Sequence, residues 1–270
     1  MYKRQAQDAG CPTLYCEISP FSGRITLDPK GVNYEGSVPG FDAPFASPDP
    51  AALRRIRDGF APRANRREQA NAAPPPGLDE PFVFCPLQVP NDSQVRVFSG
   101  PFRSMERFVA VVGEAAQHLP EGWHLRLREH PTAKQTLVEH IAPWLGDKLR
   151  LDNTTDAFEQ MDKAQAVLTL NSSMGLQALF SEKPVLVAGK AFYGRSELVQ
   201  LCENAGRIKS AFQSIAQPSK LPVDRDRFLQ WLVGQYYPEY HRNGTQADNV
   251  ALLRKHIETS PIFQHFRETL

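Results

Sequence analysis

The stretch Val167–Gly175, VLTLNSSMG, constrains this chain most. An apolar, β-branched run gives way abruptly to Asn171-Ser172-Ser173, and Met174-Gly175 then leads into the apolar-patterned Leu176–Phe180. The pattern predicts a buried strand, a tight polar turn and the first turn of a helix. A helix start offers unpaired backbone N–H groups and the positive end of the helix dipole, which suits a phosphate. The plainer role for Asn171 or Ser172 is to cap that helix. On this stretch alone both roles stay open.

The same alternation runs through the chain from Pro81 onward. Phe82–Leu87 is an apolar run that reads as a buried strand. Ser104–Leu119 is an amphipathic helix with Phe108, Val111, Val112, Ala115 and Leu119 on one face, stopped by Pro120. Trp123–Arg128 alternates as a strand, Thr132–Trp144 reads as a helix, Leu149–Leu151 as a strand and Asp156–Lys163 as a helix. Val167–Leu170, the helix Ser173–Phe180 and the strand Pro184–Ala188 follow. Arg225–Tyr236 and Ala247–Glu258 read as closing helices before a polar tail. Strands and helices alternating with short connections predict a parallel sheet covered on both faces.

Residues 1–80 differ, being rich in Pro, Gly and Asp. Short strands are expected at Thr13–Ile18 and Arg24–Leu27, a turn at Asp28-Pro29-Lys30-Gly31, and a helix within Pro48–Gly59. Ala61–Gly77 ends in Pro74-Pro75-Pro76-Gly77 and reads as a linker, with Arg63, Arg66 and Arg67 on a solvated surface. The expected division is therefore 1–80, an N-terminal region with its linker, and 81–270, a Rossmann-like domain with closing helices.

The 270 residues carry a net charge of +1, which argues against bulk attraction to nucleic acid. The opening MYKRQAQDAG has no apolar core, so no secretory signal is expected there, and no apolar run in these 270 residues is long enough to span a bilayer. Cys11, Cys16, Cys85 and Cys202 form no CxxC pair; reduced thiols in a cytoplasmic setting are expected, with a Cys11–Cys16 bridge left open. The sequence contains no GxGxxG, no GxxxxGK[ST] and no GxSxG, which argues against dinucleotide enzymes, P-loop NTPases and α/β-hydrolases. The histidines show no metal-ligand spacing, so no metal site and no cofactor is expected.

In parallel sheets ligands bind outside the carboxyl ends of the strands. Three polar clusters fall there: Gln88–Gln94, Glu129-His130-Pro131 and Asn171–Ser173. Asp92 suits a base, a nucleophile or a substrate hydrogen-bond acceptor; equally, it suits an Asx-turn or a helix cap. Pro131 holds His130 extended, aiming an imidazole that can donate to a phosphate oxygen or protonate a leaving group. Lys183, Lys190 and Arg195 are candidate positive charges near the rim. Phe192 and Tyr193 can stack on a base or simply pack.

Several segments together resemble a known family. They are Cys16–Pro20 through Thr26–Asn33, Pro86–Gln94, Arg128–Pro131, Leu170–Leu179, and Lys183-Pro184-Val185 to Gly189–Tyr193. In order and spacing they are similar to the bacterial capsule polysaccharide biosynthesis proteins that include the β-Kdo glycosyltransferases. The resemblance implies an α/β, GT-B-like architecture with a Rossmann-type donor domain. It also implies a fuller N-terminal half-domain than the first 80 residues supply. It implies a CMP-Kdo donor, a glycolipid or polysaccharide acceptor, and work in the cytoplasm, peripheral at the inner membrane, with capsule assembly or export machinery as partners. Gln88, His130, Asn171, Ser172 and Ser173 would then bind the donor. Asp92 would be the nucleophile or essential carboxylate, and Glu17 the general acid/base, a division of labour suited to sugar transfer with retention. A non-catalytic assembly or export protein and a sugar-nucleotide epimerase are the alternatives.

Overall fold

A computed structural model describes residues 2–42, 47–60, 77–217 and 224–268. The chain forms two compact units: Met1–Phe60 with Val223–Leu270, and Ala61–Pro222. The closing helices expected within 81–270 thus group with the N-terminal segment. The expected linker arginines Arg63, Arg66 and Arg67 lie outside the described residues.

The first unit begins with helix α1 (Tyr2–Asp8) and an antiparallel pair, β1 (Tyr15–Ile18) and β2 (Ile25–Asp28), in which Glu17 stands opposite Thr26. Helix α2 (Pro50–Asp58) starts on Asp49, whose Oδ1 accepts from the backbone N–H of Ala51 (2.9 Å) and Ala52 (3.1 Å), with Pro50 at the first helical position. Cys11 and Cys16 are both free thiols.

The second unit is a six-stranded parallel sheet. In chain order it contains β3 (Phe82–Pro86), α3 (Ser93–Phe98), α4 (Met105–Ala116), β4 (His124–Arg128), α5 (Val138–Ile141), β5 (Leu149–Leu151), α6 (Ala157–Lys163), β6 (Ala166–Thr169), α7 (Ser173–Phe180), β7 (Val185–Val187), β8 (Gln200–Leu201) and α8 (Ala205–Gln213). The strand order is β5-β4-β3-β6-β7-β8, with every pair parallel. Counted from β3 this is the 3-2-1-4-5-6 order of doubly wound nucleotide-binding sheets. Winding runs outward from β3 to β5, then reverses at β6, so the topological switch point lies between β3 and β6.

Both faces are covered, so β3 is a continuous apolar run with all five residues buried. Val83, Cys85, Leu125, Leu127 and Leu168 pack with Phe108, Val109 and Val112 of α4 and Ile208 and Phe212 of α8 in one core. Strand β4 alternates His-Leu-Arg-Leu-Arg, yet all five residues are buried. Its polar members face other protein groups rather than water. Arg126 and Asp152, both fully buried, pair with Nη2···Oδ2 at 2.7 Å and Nε···Oδ2 at 3.1 Å. His124 stacks on Phe82 with ring centroids 5.3 Å apart.

The helix expected over Thr132–Trp144 is confined to α5 and a short 3-10 turn at Ala142–Trp144. The Glu129 carboxylate claims the Thr136 hydroxyl (2.9 Å) and the Leu137 N–H (2.6 Å), and holds the preceding residues as a turn. The remaining helices belong to the first unit. Helix α9 (Arg225–Trp231) widens into a π turn over Leu232–Tyr236, where the Tyr237 N–H donates to the Leu232 carbonyl at 2.9 Å. Helix α10 (Gln246–Thr259) follows. The expected polar tail is instead helix α11 (Pro261–Glu268), with Ile262 and Phe263 buried.

Candidate functional site

The carboxyl rim at the switch point is built on one mutual clasp. Gln88, just past β3, and Asn171, just past β6, are both only 8% exposed. Gln88 Nε2 donates to Asn171 Oδ1 (2.8 Å), and the Asn171 backbone N–H donates to Gln88 Oε1 (3.2 Å). Asn171 Nδ2 also donates to the Gln94 carbonyl (2.9 Å) and the Phe98 carbonyl (3.2 Å) of α3. The Asn171 side chain therefore fastens the two central strands and α3 together. The hydrogen bonds its side chain makes among the described residues run to Gln88, Gln94 and Phe98.

The next two residues are arranged differently. Ser172 caps α7: its Oγ accepts from the Met174 N–H (3.2 Å), and its own N–H donates to Thr169 Oγ1 (3.0 Å). The Ser172 carbonyl accepts from the Gly175 N–H (3.0 Å) and from the buried Tyr193 hydroxyl. Capping therefore consumes the Ser172 and Met174 N–H groups. Among the described residues the Ser173 N–H makes no hydrogen bond, and the hydroxyl protons of Ser172 and Ser173 remain available as donors. These, rather than the whole turn, are the groups that can meet an anion at the start of α7.

Asp92 caps α3, its Oδ1 accepting from the Gln94 N–H at 2.8 Å and lying 3.4 Å from Ser93 Oγ. Among the described residues its Oδ2 makes no hydrogen bond. The cap thus fixes an exposed carboxylate by one oxygen and presents the other. Asn91, beside it, donates through Nδ2 to Gln135 Oε1 (3.2 Å), tying this loop to the one that carries His130.

His130 is half-buried after β4. The Thr132 N–H donates to its Nδ1 at 3.2 Å, and Thr132 Oγ1 lies 3.0 Å from the same nitrogen. An N–H donor at Nδ1 places the proton of the neutral ring on Nε2, which makes Nε2 a hydrogen-bond donor. Beside it a second clasp repeats the first: the Glu129 N–H donates to Asn153 Oδ1 (2.8 Å), and Asn153 Nδ2 donates to Glu129 Oε2 (2.9 Å). One amide side chain again grips both the backbone and the side chain of a residue across the rim.

Asp152 anchors the loop after β5. Burial alone would raise its pKa, but hydrogen bonds from Thr155, Arg126 and Thr154 outweigh that and hold it below the usual carboxylate value. Nothing local in the sequence singles out Asp152 or Asn153, because each takes its role from a partner distant in the chain.

Glu17 belongs to the first unit. It is exposed on β1, where its Oε2 accepts from Asn33 Nδ2 at 2.8 Å. Of the candidate cations, Lys183 precedes β7 and donates to the Asp162 (2.6 Å) and Ala164 (3.0 Å) carbonyls at the end of α6, away from the carboxyl rim. Arg195 pairs with Glu197. Phe192 and Tyr193 are buried, in edge-to-face contact at 5.2 Å; of the two roles open to them, packing is the one they fill. Among the described residues no group of three or more His, Cys, Asp or Glu side chains can hold a metal ion, and no helix is long and apolar enough to cross a membrane.

FixF of Sinorhizobium fredii strain NGR234 is 32% identical over 230 residues, covering 84% of this chain and 54% of FixF. The capsule polysaccharide export protein KpsS of Escherichia coli is 28% identical over 123 residues, 43% of this chain and 32% of KpsS. The chain thus spans about half the length of FixF and less of KpsS. Among solved structures, the β-Kdo 2,4 transferase of Thermosulfurimonas dismutans KpsC matches with a TM-score of 0.56 at 16% identity, covering 84% of this chain and 73% of that one. The β-Kdo 2,7 transferase of the same KpsC matches with a TM-score of 0.52 at 14% identity, over 82% and 66%. These likenesses show a shared GT-B-like α/β fold. The capsule polysaccharide biosynthesis protein model matches residues 52–200, more than half of the chain and all three rim clusters, and the chain belongs to that family.

Proposed function

We propose that this protein is a glycosyltransferase of capsule or surface polysaccharide synthesis. It moves Kdo or a related keto-sugar from a CMP-activated donor to a glycolipid or polysaccharide acceptor. The observation that carries the reading is the switch-point rim, where the Gln88–Asn171 clasp positions Ser172, Ser173 and Asp92 at the carboxyl ends of parallel strands. In this reading the donor phosphate takes the Ser173 N–H, the two serine hydroxyls and His130 Nε2–H. Asp92 Oδ2 attacks the anomeric carbon as the bond to the CMP phosphate oxygen breaks, and CMP departs with that electron pair. The acceptor hydroxyl oxygen then displaces Asp92 and restores the original configuration as its proton passes to a carboxylate base, a role we give to Glu17 on the family resemblance.

The test is CMP release and product formation from CMP-Kdo by the full chain, with Asp92→Ala beside it. Loss of transfer in Asp92→Ala is the expected result; full retention overturns the assignment. A melting-shift comparison of CMP, UDP and GDP tests the donor class, with a rise expected for CMP alone. The likeness to KpsS, a protein named for export, favours one second reading, a binding protein without transfer. A CMP-induced melting shift without CMP release from CMP-Kdo would favour it.

A further inference from the structure

In the first unit a large buried mount lies behind the exposed Glu17 carboxylate. Asp28, fully buried at the end of β2, accepts five hydrogen bonds. Its Oδ1 takes the Lys30 N–H (2.7 Å), the Gly31 N–H (3.1 Å) and the Ser37 hydroxyl (3.0 Å); its Oδ2 takes the Ser37 N–H (2.8 Å) and the Tyr236 hydroxyl (3.0 Å). Tyr236 comes from 208 residues away, delivered by the π turn at the end of α9. The Arg24 guanidinium bonds the carbonyls of Val233 (2.7 Å) and Tyr237 (2.6 Å), pinning that turn to β2. The loop Lys30–Ser37 is drawn so tight that a Cβ on Gly31 would lie 2.6 Å from the Glu35 carbonyl oxygen.

The loop carries Asn33, which sits in the left-handed region at φ 55° and donates to Glu17 Oε2 at 2.8 Å. A hydrogen bond to an exposed carboxylate contributes little to stability. A buried carboxylate with five donors, a constrained loop and a left-handed residue are out of proportion to that gain. Such concentrations of local constraint gather where a side chain must be held for function.

We infer that Asn33 is a positioning residue for Glu17, and that the Asp28–Tyr236 pair is the anchor that keeps it in register. This rests on the reading of Glu17 as the proton acceptor in transfer. Asn33 touches neither donor nor acceptor in this scheme. It fixes the direction of the Glu17 carboxylate by donating to Oε2 and leaves that group aimed for transfer.

The experiment is steady-state kinetics of the full chain with CMP-Kdo, with melting temperatures measured alongside. Asn33→Gly keeps the left-handed backbone at ease and deletes only the amide. The expected result is a fall in kcat of roughly ten- to a hundredfold with the donor KM and the melting temperature unchanged. Tyr236→Phe should lower kcat in the same direction by a smaller factor, and should add nothing in an Asn33→Gly background, because both act through one carboxylate. Glu17→Gln separates the two ideas. If it is as active as the wild type, the reading of Glu17 fails and the role of Asn33 with it. If it is inactive while Asn33→Gly keeps its kcat, Glu17 stands and the inference about Asn33 is overturned. Independent losses from Tyr236→Phe and Asn33→Gly would overturn the anchor.

Discussion

Gln88 and Asn171 hold each other by two reciprocal hydrogen bonds of 2.8 and 3.2 Å across the point where the sheet reverses its winding. Both are nearly fully buried, and Asn171 also grips two carbonyls of α3. Truncating one partner strands the other's buried polar atoms, so the clasp should behave as one unit. Asn171→Ala should destabilise the fold by about 2–4 kcal/mol. Ser173→Ala, two residues on, should stay within about 0.5 kcal/mol of the wild type. Urea denaturation measures both. Equal effects at the two positions would mean that the division between scaffold and ligand donor is misplaced.

The second prediction runs the other way, on binding. If Ser173 rather than Asn171 meets the donor phosphate, Ser173→Ala should weaken CMP by about 1–2 kcal/mol, roughly five- to thirtyfold. Titration calorimetry reads this directly. Unchanged CMP affinity in Ser173→Ala would remove the serine from the site.

How far the sequence foresees this arrangement depends on how local each cause is. The strands of the sheet and α7 are legible because hydrophobic period, caps and strand–turn–helix junctions are written within a few residues. The ends at Gln88, His130 and Asn171 are legible for the same reason. The clasp is not, because its partners are 83 residues apart and meet only once the strand order is known. Strand β4 misleads in an instructive way: alternation of His and Arg with Leu suggests one solvated face, yet Asp152 and Phe82 supply partners for the polar side. Helix α11 reads as a tail because, among its described side chains, the two buried ones, Ile262 and Phe263, are both in its first turn.

The Arg126–Asp152 pair is fully buried, so its two members are tightly interdependent. Asp152→Asn keeps the shape but removes the negative charge that faces the buried Arg126 guanidinium, and should cost about 3–5 kcal/mol. Adding Arg126→Met should recover part of that loss, since the buried positive charge is then gone. A double variant less stable than Asp152→Asn alone would show that the guanidinium packs favourably without its partner.

Acid should loosen the sheet through His124. Burial, then the charges of Arg150 and Arg126, push its pKa down to about 4, while Glu80, 3.7 Å from Nδ1, opposes them weakly. The unfolded chain, with a histidine pKa near ~6.5, binds the proton first. Stability from this residue is therefore complete above about pH 6.5 and is lost as pH falls toward 4, by roughly 3 kcal/mol in all. His124→Phe preserves the stack on Phe82 and should flatten that part of the stability–pH curve. Identical slopes for variant and wild type between pH 6.5 and 4 would exclude His124 as a source of acid lability.

The turn at Ser172 depends on a glycine for a reason outside its own segment. A Cβ at Gly175 would lie 2.2 Å from the Tyr193 hydroxyl oxygen and 2.8 Å from Thr169 Cγ2. Both neighbours also hold Ser172, Tyr193 through its carbonyl and Thr169 through its N–H. Gly175→Ala therefore has to displace the groups that fix the turn, and should cost about 1–3 kcal/mol while weakening CMP binding. Tyr193→Phe alone should cost only about 1 kcal/mol, because the Ser172 carbonyl keeps its bond from the Gly175 N–H. Combined, the two changes should be less harmful than their sum: removing the hydroxyl relieves the 2.2 Å approach, while the contacts at 2.8 Å with Thr169 Cγ2 and 2.9 Å with the Tyr193 ring carbon Cζ remain. Thermal denaturation of the four proteins gives the coupling. Strict additivity would mean that the glycine is required for something other than the approach of Tyr193.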